Sequence, residues 1–330
     1  MAAPAPVSAP VVRGPEELVF LSHPDIVGLG ITPADVIRAV EQGLLKKHSV
    51  ILPPKIHINL PGNIFWNTMP CVFEDFYSCK MVNRYPGHEP AILATMVMGD
   101  MHTGQFVAHL DATWITAMRT GAVAALTVKY VAKKSFSTIG MLGLGATGTA
   151  TLHCLAALFP DRPMTIKLLR YKDHAEVLRS KFEHHANLHI LIVDTMEALC
   201  RGSDVVISAV TAADRDLAQP EWFESGVTII PIHTRGFMNM DLVVDQVVGD
   251  DTGHVCDFRN FKNFRKFTEL CDVMLNPTTL GRRNDTEKIL CYNIGLAVHD
   301  LFVGRLVLER ARAHGVGIRV PAPLPGKAFL

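Results

Sequence analysis

The sequence predicts an α/β fold in two lobes, a doubly wound parallel sheet and a smaller α+β lobe, on three observations. Between residues 137 and 250, short apolar β-branched runs alternate with longer helical stretches, the pattern of successive β-α-β units. One strand-to-helix join carries Gly143, Gly145 and Gly148 at G-x-G-x-x-G spacing. A chain of 330 residues with 48% apolar content also exceeds what one compact core ordinarily holds.

The alternating region reads as strands at 137–142, 164–169, 189–193, 204–209, 227–232 and 244–248. Helices are expected at 147–159, 173–185 and 195–201, with Asp173 and Thr195 as N-caps. The stretch 17–111 differs. A helix at 32–46, capped by Thr32 and carrying Pro33 in its first turn, precedes short runs such as 55–60 and 94–98 that turn residues split, giving the α+β lobe. Helical spacing at 115–132 and 289–312 predicts two long helices, so the smaller lobe draws on both chain ends. The expected division is 15–118 with 299–330 for that lobe and 119–298 for the parallel sheet. Residues 1–14, rich in Ala and Pro, read as a disordered arm, and 321–325 as a tail.

Composition narrows the partners. Lys+Arg 32 balance Asp+Glu 32, so the chain lacks the positive field that draws proteins to nucleic acid or anionic lipid. The seven cysteines are odd in number, scattered, without a C-x-x-C pair and set among apolar residues, as reduced buried thiols are. No secretory start or bilayer-length apolar run is present, and a soluble cytoplasmic protein is expected. Fifteen histidines show neither H-E-x-x-H nor paired Cys/His spacing, so no metal site is expected. The aromatic-rich stretch 258–267 reads as an amphipathic helix or loop over a cofactor cleft.

The glycine turn Gly143-Leu144-Gly145-Ala146-Thr147-Gly148 carries the first chemical inference. The first glycine permits a tight turn, the second lets backbone approach a pyrophosphate, and the third lets helix and strand pack closely. The helix N-terminus then presents unpaired N–H groups to phosphate. Ala209, Val210 and Thr211, closing the fourth strand, and Asn293 complete the expected cofactor contacts. At the end of the second strand, where NAD enzymes usually keep an acid for the ribose hydroxyl, stand Arg170 and Lys172. Two cations there favour a 2′-phosphate, so NADP(H) is preferred, with NAD(H) possible.

Further motifs lie outside the sheet: Lys55 in P-P-K-I-H, Lys80 in C-K-M-V-N-R-Y-P, Arg119 in M-R-T-G-A, D-M-H-T-G at 100–104, Asp111, and N-I-G-L-A at 293–297. Over 17–320 the chain resembles the ornithine cyclodeaminase and μ-crystallin family. The resemblance implies a Rossmann-type lobe, a second lobe that binds substrate and dimerises, and a homodimer. It implies that Lys55 and Arg119 hold a substrate carboxylate, that Met69 touches substrate, and that Lys80 sits beside the reacting carbon and nitrogen. The chemistry agrees: an arginine grips a carboxylate through paired N–H bonds, and a lysine in a dry cationic cleft has a lowered pKa and can pass a proton.

One position departs from the pattern. Where cyclodeaminases carry an aspartate for the substrate's side-chain amine, the loop Ile232-His233-Thr234-Arg235-Gly236 has Arg235. An arginine cannot accept that proton and repels an ammonium group. It suits a second anionic group on the substrate, with His233 able to share proton transfer. The expected activity is therefore hydride transfer at the C–N bond of an amino or imino acid, with an acidic or dicarboxylate substrate. A cyclodeaminase releasing ammonia, and a μ-crystallin-like protein that binds NADPH and a small ligand, are the alternatives.

Overall fold

The structure, a computed structural model, describes residues 17–322 apart from 212 and 234. The expected N-terminal arm lies outside the described residues. The chain opens with β1 (Glu17–Leu21), α1 (His23–Gly28) and α2 (Pro33–Leu45). Thr32 caps α2 through a capping box with Asp35, and Pro33 occupies its first turn. A meander follows: β2 (Ile56–Leu60), β3 (Ile64–Phe73), β4 (Phe76–Arg84), β5 (Ile92–Asp100) and β6 (Phe106–Asp111). The D-M-H-T-G motif is the turn between β5 and β6, where Asp100 accepts the N–H groups of His102 and Thr103.

After α3 (Thr113–Val131) come β7 (Thr138–Leu142), α4 (Ala146–Leu158), β8 (Met164–Leu169), α5 (His174–Phe182), β9 (Leu188–Val193), α6 (Met196–Cys200), β10 (Val205–Ser208), β11 (Thr228–Pro231) and β12 (Gln246–Gly249). The chain closes with α7 (Thr252–Val255), β13 (Phe267–Glu269), α8 (Leu270–Leu275), α9 (Pro277–Leu280), β14 (Ile289–Tyr292), α10 (Ala297–His314) and β15 (Ile318–Pro321).

Two sheets result. Seven strands run β15-β1-β6-β5-β4-β3-β2, antiparallel except at the β1/β6 pair. Eight parallel strands run β13-β12-β14-β11-β10-β7-β8-β9, the doubly wound sheet expected, and the order reverses at β7/β10, where such sheets bind ligands. All six predicted strands belong to it.

The differences have physical causes. The single helix expected at 289–312 is the buried strand β14 followed by α10, because a short apolar run fits a central strand as well as a helix. Pro321 belongs to β15 and pairs with Glu17, rather than to a free tail. The stretch 258–267 is a 3-10 turn leading to an edge strand. Phe258 edges onto Tyr292, and Phe261, Phe264 and Phe267 pack on one another, so these half-buried rings pack against the core five strands from the glycine turn, and not as a cover over it.

Fourteen of the nineteen residues of α3 are buried, so it is apolar all round and contacts both lobes. It packs on α4 and β11 on one side and on β5 on the other. The expected lobe boundaries at 118 and 298 fall within α3 and α10. Gly121 of the R-T-G-A motif permits the closest approach, since a Cβ there would lie 2.6 Å from the Ala150 backbone. That contact fixes Arg119, two residues earlier on the same helix.

Candidate functional site

The cofactor turn is built as its glycines require. Gly143 has φ +78, and a Cβ on it would meet the Ala209 and Val210 backbone at 2.2–2.3 Å. A Cβ on Gly148 would lie 2.3 Å from the Gly143 carbonyl oxygen, so helix and turn pack directly. Gly145, at the N-cap of α4, has nothing within 4 Å of where its Cβ would be, and it offers no capping side chain. Two glycines are filled by protein and the middle one faces open space beside unpaired helix N–H groups. That is the cradle a pyrophosphate needs. The residues fit a dinucleotide.

Arg170 and Lys172 stand at the end of β8 as expected. The Arg170 guanidinium is paired with Asp194 at 2.6 Å and with Glu176, both on the surface, where such pairs are weak and exchangeable. Asn293, expected at the cofactor, is buried, and its side chain donates to Asp250 at 3.1 Å and accepts from Thr127 at 3.1 Å, so it is held first by the protein.

Where β4, α3 and α10 meet, a buried charge cluster forms. Lys80, on β4, is 0% exposed and donates to Oδ1 of Asp300 at 2.7 Å. Arg119 Nε donates to the same oxygen at 3.0 Å. The other oxygen of Asp300 has no partner, and the terminal nitrogens of Arg119 make no hydrogen bond among the described residues. Gly295, φ +83, lies against that guanidinium: a Cβ there would meet Nη1 at 2.3 Å. Met69 pairs with Lys80 across β3 and β4 and is buried beside it.

Lys55 joins from the loop before β2, its Nζ donating to the Ile294 carbonyl at 2.9 Å. Its backbone N–H donates to His254 Nε2 at 3.1 Å, so the His254 proton sits on Nδ1, facing Asp251 at 2.9 Å. Asp251 in turn pairs with the buried Lys47 at 2.7 Å. Lys55 is thus held by a chain of fixed groups.

The electrostatics follow from burial. Lys80 is pushed down to about 7 by desolvation and then by the Arg119 charge, against the pull of Asp300. Lys55 is pushed down to about 8 by the same two causes. Burial raises Asp300, but Arg119 and Lys80 outweigh it and hold the carboxyl below its ordinary value. His299, also buried, is pushed down to about 3 by desolvation and Arg119, and is neutral. Asp250 is raised by burial while accepting from Asn293 and the Gly295 N–H.

Lys55, Lys80, Arg119 and Met69 thus meet, and Arg235 and His233 do not join them. The loop after β11 folds back through the Leu217 N–H to Gly236 carbonyl bond, and Arg235 is exposed in a separate cavity of about 440 Å³, lined also by Asp214, Arg215, Asp216 and Arg259. His233 is pushed down to about 4 by burial and engages Ser208 at 2.7 Å, so it is a neutral packing group and no proton donor near neutrality. Asp300, His299 and Asp250 were missed in the sequence. The one signal for the two acids was a carboxylate within an apolar stretch, such as Asp300 in Leu296–Val303, since a buried carboxylate needs cationic partners.

A trio outside that cluster, His48, Cys271 and Asp272, brings three ligand-type atoms within 4.8 Å, with His48 hydrogen-bonded to Asp272 at 2.7 Å. All seven cysteines are free. Among the described residues no helix is long and apolar enough to cross a membrane.

A glycine turn with one open position at a helix N-terminus, on a doubly wound parallel sheet, is the arrangement of a dinucleotide-binding protein. The chain belongs to the ornithine cyclodeaminase/mu-crystallin family, whose model matches residues 18–315. It is 24% identical over 324 residues to an alanine dehydrogenase of Archaeoglobus fulgidus, covering 92% of this chain and 98% of that one. It is 21% identical to the N-((2S)-2-amino-2-carboxyethyl)-L-glutamate dehydrogenase of Staphylococcus aureus, over 67% of this chain and 69% of the other. The solved Thermococcus litoralis Delta(1)-pyrroline-2-carboxylate reductase, in complex with NADH and L-proline, superposes with a TM-score of 0.80 at 25% identity, covering 92% of this chain and 100% of that one.

Proposed function

We propose that this protein is an NAD(P)H-dependent oxidoreductase that reduces the C=N bond of an α-imino acid, and oxidises the amine in reverse. The observation that carries this reading is Lys80: a fully buried amine, near neutrality in its proton affinity, hydrogen-bonded to Asp300 and adjacent to the free end of Arg119. A nicotinamide held at the glycine turn would supply the hydride for the substrate α-carbon, or accept it in reverse. Arg119 and Lys55 receive the α-carboxylate. The Lys80 ammonium gives one proton to the imine nitrogen, becoming a neutral amine, and Asp300 holds that amine in line. Hydride plus proton balance the reduction.

Three finer features belong to the proposal. The substrate is acidic: the three cations Lys55, Lys80 and Arg119 outnumber the two buried carboxylates beside them, Asp300 and Asp250, and the Staphylococcus aureus relative is a dehydrogenase of an N-substituted glutamate. NADP(H) is the preferred cofactor, because Arg170 and Lys172 stand at the ribose end of the turn and the surface acids pairing with Arg170 can yield to a phosphate. The protein is a homodimer: Ile56, Ile58, Leu60, Trp66, Met81 and Leu93 are all exposed on one face of β2–β5, opposite Lys80, an apolar strip that a second copy would cover.

Oxidation of NADPH and NADH with cyclic imino acids, and with α-keto acids plus ammonia, tests the reading. Turnover with an α-imino acid is expected. Silence with both cofactors sinks it, and ammonia with proline formed from ornithine, without net cofactor change, would replace it by cyclodeamination.

A further inference from the structure

We infer that Arg84 reads a second carboxylate on the substrate and makes the cleft selective for imino acids with an acidic side chain; this rests on the reductase reading above. Side chains alternate along a strand, so Ser78, Lys80, Val82 and Arg84 share one buried face of β4. Arg84 lies four residues beyond Lys80, roughly 13 Å along the strand, a gap that two long side chains reach across. Its guanidinium donates to the Thr211 carbonyl. Thr211 directly follows Val210, whose backbone abuts Gly143 of the cofactor turn. Arg84 therefore stands where the Lys80 face of the smaller lobe meets the dinucleotide lobe.

Its partners are what set it apart. Four lysines and arginines are buried among the described residues, Lys47, Lys80, Arg84 and Arg119. Lys47 has Asp251 and Glu269, and Lys80 and Arg119 have Asp300. Among the described residues Arg84 has only neutral oxygens: the Asn63 carbonyl at 2.7–3.0 Å, the Asn63 side chain and the Thr211 carbonyl, with Phe65 5.0 Å beneath its guanidinium. Those oxygens take four donor contacts from its five N–H groups, leave one N–H on Nη1 open among the described residues, and leave its charge unbalanced. A tie between carbonyls needs donors, which an uncharged amide supplies. A permanent positive charge kept out of water without a counter-ion is a site for an anion. Arg84, rather than the solvent-exposed Arg235, is the cation positioned to supply the acid specificity.

Arg84→Gln keeps donors and removes charge, and Arg84→Lys keeps charge and loses the fork. The readout is the ratio of kcat/KM for the imine of 2-oxoglutarate and ammonia over that of pyruvate and ammonia. Arg84→Gln is expected to lower this ratio by about 100-fold, mainly through KM, with Arg84→Lys between it and wild type. An unchanged ratio in Arg84→Gln, from equal losses with both imines, would make Arg84 a latch between lobes and overturn the inference. Calorimetry on the cofactor-loaded protein decides it without turnover. Succinate should bind wild type at least about tenfold tighter than propionate, and equally with it in Arg84→Gln. Equal binding in wild type overturns the inference. Absence of turnover with either imine, beside selective succinate binding, would instead remove the reductase reading alone.

Discussion

The Lys80 cluster and the Arg235 loop both hold cations beside carboxylates, and they differ in almost everything that governs chemistry. Lys80, Arg119 and Asp300 are buried, so each charge acts on the next through little water, and a lysine is moved to about 7. Arg215, Arg235 and Arg259 ring an open cavity with Asp214 and Asp216, and all five are exposed, where solvent screens them. Position in a family pattern marked both Arg235 and Lys80. Burial separates them.

The largest effect should come from the buried side. Lys80→Met is expected to lower kcat by about 10²–10⁴-fold while cofactor titration gives an unchanged affinity. Turnover within a few-fold of wild type would break the contrast. Asp300→Asn leaves two buried cations without their shared counter-charge and should destabilise the fold by about 3–5 kcal/mol in denaturant melts. A loss below about 1 kcal/mol would mean that water reaches the cluster.

The glycine turn sharpens the comparison, because it separates packing from ligand space within six residues. Gly145→Ala puts a methyl into open space at φ −76, so the melting temperature should hold while NAD(P)H affinity falls at least about tenfold. Gly148→Ala drives a methyl onto the Gly143 carbonyl and should destabilise the fold itself. Smaller still, Arg170→Ala should reduce the NADPH over NADH preference by about tenfold, and no change in that ratio would remove the NADP(H) preference. Arg235→Ala should alter kcat/KM by less than about threefold. A hundredfold loss would return Arg235 to the site.

The sheet was legible because its strands are β-branched runs divided by helical periods, and six of its eight strands follow from that alternation alone. β14 was hidden by its continuity with α10, and β13 by the phenylalanines around it, whose contacts run to distant parts of the chain. Lys55, Lys80 and Arg119 were readable through motifs, and the motif glycines explain why: Gly295 of N-I-G lies against the Arg119 guanidinium, and Gly121 of R-T-G-A seats the Arg119 helix on the Ala150 backbone. Asp300 and Arg84 were not readable, since their meaning lies in what surrounds them. One is a carboxylate shared by two cations. The other is a buried cation with no carboxylate.

Proton affinity ties these points together. Between about 7 and the ordinary lysine value of 10.5 the folded protein binds fewer protons at Lys80 than the unfolded chain does, so this group makes stability rise with pH across that window and adds its full burial cost below it. The same shift sets the direction of catalysis. The pH dependence of kcat/KM for imine reduction, in wild type and in Lys80→Met, is the most direct test. Wild-type reduction should fall as pH rises through about 7, amine oxidation should rise through the same limb, and Lys80→Met should lack it in both directions. A limb that survives in Lys80→Met would contradict the assignment of Lys80 as the proton donor.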